Sequence, residues 1–153
     1  MKKILLLFAL LLLFVPMAIG EVIPPRGTPM TKETHPLYWS YFENYANNLQ
    51  KALESKKMFR LRGMGASYNY IVTCNGEIKD MEISTYQNKY FNEKVKEIIM
   101  SVDPEPFYSG MNSENIYFTV YLGYESYNDK RISIGWALRK NKKNVHISII
   151  TSR

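Results

Sequence analysis

Two side chains of this sequence have the chemistry of a thiol–imidazole pair. Cys74 is the only cysteine of the chain, and His146 is one of two histidines. Catalysis would need the thiol and the imidazole in hydrogen-bond contact, with a third group that orients the histidine. We expect instead a buried Cys74 at a strand end and an exposed His146 on an alternating strand. Disulfide-linked dimerisation through Cys74 ranks above catalysis.

Carboxylates form two groups along the chain, which are Glu77, Asp80 and Glu82, and then Asp103 and Glu105. Paired carboxylates can transfer protons or bind Ca²⁺. The first group falls on the polar face of a predicted hairpin, the second brackets a proline, and the spacing of a calcium loop is missing. Two histidines far apart in sequence give no zinc pattern. We therefore expect solvated surface charge, no enzyme, no metal and no cofactor.

The first twenty residues have the pattern of a secretory signal peptide. Lys2 and Lys3 precede an uninterrupted apolar run, Ile4–Val15. Small residues at positions −3 and −1 then predict cleavage between Gly20 and Glu21. The alternative is a retained inner-membrane anchor, but the twelve-residue run would span about 18 Å of a hydrocarbon core of about 30 Å. We expect a secreted, periplasmic protein.

The segment that follows the leader, residues 21–34, is rich in proline and has no apolar periodicity. It is predicted to be an extended linker that reaches at most about 43 Å. Loss of Lys2 and Lys3 with the leader lowers the formal net charge from +6 to +4. This charge is too small to imply nucleic acid as a partner. Residues 35–153 are then predicted to form one domain.

Apolar periodicity predicts two helices in this domain. Pro36 opens the first, because its missing N–H would be unpaired in the first turn anyway, and Thr34 or His35 would be the cap. The second runs from about Gln87 or Asn88 to Ser101. The apolar stripe of the first helix consists of Leu37, Tyr38, Tyr41, Phe42, Tyr45, Leu49, Ala52 and Leu53.

Alternating patterns predict the strands. Asn75-Gly76 predicts a type I′ hairpin turn, and a bulge near Lys79-Asp80 would place Ile78, Met81 and Ile83 on one face. The order α-β-β-α-β-β-β indicates an α+β, two-layer domain, with an antiparallel sheet of about five strands packed under two helices. The predicted strands are Ser67–Cys74, Glu77–Tyr86, Ile116–Gly123, Ile132–Leu138 and Val145–Ile150.

The hairpin segment Tyr70–Ser84 resembles the first hairpin of the TonB/TolA C-terminal domain family. The resemblance continues through the second helix, a proline-rich exit at Asp103–Phe107 and the strand that begins at Ile116. It covers residues 37–123. The resemblance implies a periplasmic protein–protein interaction domain of a Gram-negative envelope, in which a partner segment adds as a strand to the exposed edge of the sheet.

The resemblance places the partner-binding edge on the third strand, at Tyr117, Thr119 and Tyr121. Separately, the tyrosine content of the chain predicts exposed aromatic groups suited to peptide or glycan contact at Tyr117, Tyr121, Tyr124 and Tyr127. An additional hairpin, Arg131–Thr151, follows. The sequence leaves two alternatives open: this hairpin pairs with the third strand and occupies that edge, or it folds over the sheet. The expected partner is an envelope protein or peptide segment. Two alternatives stay open: a membrane-anchored, transducer-like or envelope-assembly protein, and a small secreted enzyme that uses Cys74 or the carboxylates.

Overall fold

The computed structural model describes residues 31–56, 65–85, 89–124, 130–138 and 146–148. The predicted leader, its cleavage site at Gly20 and Glu21, and most of the linker lie outside these ranges. Within them, neither helix has the length and hydropathy that a membrane crossing requires.

The described chain is an α+β fold with two helices and an antiparallel sheet, which confirms the predicted fold class. The sheet order is β2-β1-β3-β4-β5, and every neighbouring pair is antiparallel. Strands β1 to β4 form its body, and the three residues of β5 pair with Ile134–Trp136. The elements are α1 (Pro36–Ser55), β1 (Ala66–Thr73), β2 (Ile78–Thr85), α2 (Lys89–Ser101), β3 (Asn115–Tyr124), β4 (Lys130–Ala137) and β5 (His146–Ser148).

Helix α1 begins at Pro36, as the sequence predicts, and His35 is its N-cap without a side-chain cap bond. Its apolar stripe lies on the sheet, where the Phe42 ring stacks on Phe118 at 6.2 Å between centroids and contacts Trp136 at 5.5 Å. Burial of such large rings supplies most of the packing energy of a small domain. The buried residues of α1 are Tyr38, Tyr41, Phe42, Tyr45, Ala46, Leu49 and Leu53.

The turn between β1 and β2 differs from the predicted type I′ turn. Of the two central residues, only Gly76 has a positive φ, of +80°. The Gly76 N–H donates to the Thr73 carbonyl, and the Thr73 N–H donates to the Glu77 carbonyl, each at 2.9 Å. The loop therefore has three residues and ends on a left-handed glycine. A Cβ at Gly76 would collide with the Pro104 carbonyl oxygen, because the turn packs against that segment.

The predicted bulge is present in β2. The pairing shifts between Asn69–Glu82 and Ile71–Lys79, so two steps along β1 match three along β2. Asp80, the extra residue, has φ +52°. The bulge restores the two-residue alternation, and Ile78 and Met81 consequently pack against the core, while Ile83 stays 36% exposed.

Candidate functional site

Strand β3, which carries the predicted binding edge, lies in the interior of the sheet. It pairs with β1 from Asn115 to Leu122 and with β4 from Tyr117 to Tyr124. Its backbone groups are therefore used on both sides. The expectation of strand addition at the edge formed by Tyr117, Thr119 and Tyr121 is corrected, because β4 occupies that edge.

The edge strand β2 has features that oppose pairing with another strand. Its bulge at Asp80 distorts the ladder, and the side chains of Lys79, Asp80 and Glu82 are exposed. Lys79 Nζ lies 2.6 Å from a carboxylate oxygen of Glu77, and this hydrogen bond raises the pKa of Lys79. Bulges and charged side chains are how natural sheets protect their edges. Strand addition at β2 is thus disfavoured.

A further surface among the described residues is the face of the sheet opposite the two helices, which we call the helix-free face. Cross-strand pairing arranges it in three rows across β1, β3 and β4. Most of its residues are half-buried, while Ser133 and Gly135 are buried. The rows are Ser67–Tyr121–Ser133, Asn69–Thr119–Gly135 and Ile71–Tyr117–Ala137, and β2 continues them with Ser84, Glu82 and Lys79, whose exposed side chains lie on the same face.

The Tyr121 side chain packs against two glycines on the helix-free face. Its side chain is 37% exposed. A Cβ placed on Gly123 would lie 2.5 Å from its phenol oxygen, and a Cβ on Gly65 would meet the same ring. The ring therefore lies over both glycines, which face each other across β1 and β3 because the next pair inward is Ala66–Leu122. Because glycine has no side chain, the Tyr121 ring can pack directly on the backbone of the sheet at these two positions.

The central row of the helix-free face is held by a side-chain bond. The Thr119 hydroxyl donates to Asn69 Oδ1 at 2.8 Å. This cross-strand bond satisfies one hydrogen-bonding group of the Thr119 side chain and one of the Asn69 side chain. Asn69 and Thr119 therefore present a preformed polar centre between the tyrosines of β3.

The helix-covered face holds tyrosines of a different kind. The hydroxyls of Tyr45 and Tyr70 lie 3.0 Å apart, and both side chains are buried. Burial raises the pKa of Tyr45 to about 12 and raises that of Tyr70 well above its usual value. The Tyr41 hydroxyl donates to the Glu105 carbonyl at 2.7 Å. These phenols stabilise the neutral, packed core and do not reach a partner.

Cys74 is a free thiol, and it is exposed. The expectation of burial is wrong, because β1 ends at Thr73 and Cys74 is the first residue of the loop. The backbone of His146 lies in β5, three strand spacings from β1, or about 14 Å. The structure thus does not bring Cys74 and His146 together. The side chains of His146, Tyr124 and Tyr127 lie outside the described set.

The carboxylates of Glu77, Asp80, Glu82, Asp103 and Glu105 are exposed, as the sequence predicts. Across the described ranges, no three His, Cys, Asp or Glu side chains are close enough together to hold a metal ion.

Sequence reasoning identified Tyr117, Thr119 and Tyr121 but missed the groups that surround them. Asn69 in β1 and Gly65 immediately before β1 lie about fifty residues earlier in the sequence, and no local pattern links them to β3. The sequence alone could have indicated Gly123, since it follows Tyr121 by two residues and therefore lies on the same face of β3.

Comparisons with protein-family models, with curated proteins and with solved structures found no match to this chain. The resemblance to the TonB/TolA C-terminal domain family therefore stays a prediction from the residues quoted above.

Proposed function

We propose that this chain is a non-catalytic protein-interaction module of the bacterial cell envelope, exported to the periplasm and resembling the TonB/TolA C-terminal domain. The composition of the helix-free face is the observation that carries the proposal. Tyrosine, serine, threonine, asparagine and glycine fill most of its three rows. The binding loops of antibodies favour a similar set, because tyrosine offers a large, rigid, amphipathic contact area and the small residues offer adaptable hydrogen bonds.

The partner would dock on the helix-free face rather than extend the sheet. Strand β3 has no free edge, and β2 carries a bulge and charges. Tyr121 is the natural anchor, because its ring is exposed and already seated on Gly65 and Gly123. An aromatic side chain that is ordered before binding loses little conformational entropy on binding.

A site-specific photo-crosslinker tests this proposal in cells that export the full chain. We expect a crosslinker in place of Tyr121 or Tyr117 to form an adduct with an envelope protein. A crosslinker in place of Tyr90, a tyrosine of α2 that is 69% exposed, serves as the matched control. Adducts of equal yield at Tyr90 and Tyr121, or no adduct at Tyr121, would contradict the proposal.

The same cells report on export. Intact mass of the chain in the periplasmic fraction is expected to correspond to a species that begins at Glu21. A membrane-bound species that retains residues 1–20 would instead support the anchored, transducer-like alternative. Neither outcome changes the interpretation of the crosslinking experiment, because adducts at Tyr121 are measured independently of the mass of the chain.

A further inference from the structure

The turn between β1 and β2 contains the only asparagine–glycine pair of the sequence, Asn75-Gly76. Asparagine is a thermolabile residue, and a glycine after it removes the side chain that would hinder the approach of the next backbone nitrogen. The Asn75 side chain is exposed, so water reaches its carboxamide. The residue types and the exposure therefore permit deamidation at this position, and the geometry of the turn decides its rate.

Deamidation at Asn75 would be an intramolecular group transfer followed by hydrolysis. The Gly76 backbone nitrogen gives its proton to solvent and forms a bond to Cγ of Asn75. The carbon–nitrogen bond of the carboxamide breaks, ammonia leaves with a proton taken from water, and a five-membered succinimide remains. Water then opens either carbonyl of this ring, which leaves aspartate or isoaspartate at position 75. The Gly76 nitrogen is therefore the nucleophile on which the reaction depends.

The native turn engages this nucleophile in a hydrogen bond. The Gly76 N–H donates to the Thr73 carbonyl at 2.9 Å, so loss of its proton would break that bond. In the succinimide, Cγ of Asn75 occupies the position that the hydrogen leaves, and in the native turn this position faces the Thr73 carbonyl oxygen. The Glu77 N–H also donates to the Thr73 hydroxyl, at 3.2 Å. The hydrogen bonds of the turn thus oppose ring closure.

A second segment holds the turn in place from outside. Pro104 is buried, and its carbonyl oxygen lies so close to Gly76 that a Cβ there would collide with it. The Tyr41 hydroxyl donates to the Glu105 carbonyl at 2.7 Å, which ties this segment to α1. Gly76 is therefore held between the hydrogen bonds of its own turn and the backbone at Pro104.

We infer that Asn75-Gly76 is a modification site that the native turn holds closed, and that deamidation there marks chains in which the turn has opened. Isoaspartate adds one carbon atom to the main chain, so a modified turn would not keep the spacing that places Gly76 against Pro104. The inference does not rest on the proposed function, because the turn lies outside the three rows of the helix-free face.

Deamidation rates of the purified full chain, folded and unfolded in urea at the same pH and temperature, test the inference. Peptide mapping by chromatography and mass spectrometry follows asparagine, aspartate and isoaspartate at position 75. The folded chain reacts only through the population with an open turn, so we expect its rate to be at least about tenfold below that of the unfolded chain. Equal rates in the two states would overturn the inference.

Tyr41→Phe and Tyr45→Phe distinguish opening of the turn from unfolding of the whole chain. Each removes a phenol hydroxyl bond from α1, but only Tyr41 is bonded to the segment that contacts Gly76. We expect Tyr41→Phe to raise the folded-state rate about fivefold, which is the effect of one hydrogen bond on the open population. Tyr45→Phe, the matched control, is expected to stay within about twofold of the unaltered chain. No acceleration by Tyr41→Phe, or equal acceleration by both variants, would show that the turn does not control the site.

Discussion

The two faces of the sheet show how one set of strands can build a packed core on one side and a partly exposed polar and aromatic surface on the other. Phe118 and Thr119 are neighbours in β3 and point to opposite sides. Phe118 is 1% exposed and packs against the rings of Phe42, Tyr45 and Tyr70. Thr119 is half-buried and bonds to Asn69. The helix-covered face thus gains stability from apolar area, whereas the helix-free face presents adaptable polar and aromatic groups.

This difference teaches that tyrosine has two roles in the fold. On the covered face, Tyr45 and Tyr70 bond to each other and are closed to solvent. On the helix-free face, Tyr121 rests on two glycines with over a third of its surface exposed. The side chain is the same, and the burial that its strand position imposes decides whether it stabilises the core or stays accessible to solvent.

The largest expected effect is the difference in unfolding free energy between substitutions at two neighbouring residues of β3, one on each face of the sheet. Phe118→Ala removes a buried ring with three aromatic contacts and is expected to cost about 3–5 kcal/mol of unfolding free energy. Thr119→Ala removes one hydrogen bond and is expected to cost about 1 kcal/mol. Urea unfolding followed by circular dichroism measures both. Equal losses would mean that the helix-free face is packed like the core.

The next effect concerns alkaline pH and the covered face. The pKa of Tyr45 is about 12 in the folded state, against about 10 in an unfolded chain. The folded state therefore retains the phenol proton over this window, and unfolding releases it, so stability falls as the pH rises. We expect Tyr45 to account for about 2–3 kcal/mol of the loss between about pH 10 and about pH 12.

Unfolding free energies measured along this pH series test the assignment to Tyr45. Tyr45→Phe is expected to make the alkaline loss smaller by that amount, since it removes the titrating group. Tyr90→Phe, which alters an exposed tyrosine, is the control and should leave the pH profile unchanged. If both variants follow the profile of the unaltered chain, the alkaline loss has another origin.

A smaller effect on stability is expected at the contact between Gly123 and the Tyr121 ring on the helix-free face. Gly123→Ala brings a Cβ against the Tyr121 ring and is expected to cost about 1 kcal/mol. Once Tyr121→Ala has removed the ring, the same glycine substitution should cost much less, because the contact no longer exists. The double-mutant cycle thus gives a coupling energy near 1 kcal/mol. A cost of Gly123→Ala that does not change without the ring would place its cause in the β3 backbone.

The smallest expected effect is at the bulge of β2. Asp80 has φ +52°, in the left-handed region, which glycine adopts without steric cost and aspartate adopts at a small cost. Asp80→Gly is expected to raise the unfolding free energy by about 0.5 kcal/mol, measurable as a higher urea midpoint. Glu82→Gly, at a regular strand position, is the control and should lower it. A loss for Asp80→Gly would show that its carboxylate, rather than its backbone, matters at the edge.

Local patterns predicted much of this fold. The start of α1 at Pro36, the end of α2 at Ser101 and the bulge in β2 all follow from spacing within a few residues. Such patterns report on which side of an element a residue lies, since helix and strand have fixed periods. The same alternation put Tyr117, Thr119 and Tyr121 on one face of β3 before the sheet order was known.

Other predictions failed where the outcome depends on segments distant in sequence. The loop at Gly76 has three residues instead of two, and the turn packs on the carbonyl of Pro104. Cys74 is exposed because it falls in this loop and not in the strand. An Asn-Gly pair is compatible with more than one loop, and the packing partner selects among them.

The sequence by itself determined the α+β class, the two faces of each strand and the bulge that restores the alternation of β2. These features are set by periodicity and backbone preference over short distances in the chain. Only the tertiary structure decided that β3 has no free edge, that Thr119 bonds to Asn69 and that Tyr121 rests on Gly65. These depend on which strands become neighbours, a choice made by the burial of the whole apolar face rather than by any one segment. The alternation in the sequence therefore predicts which residues of each strand share a face, and the sheet order determines which strands form the candidate interaction surface together.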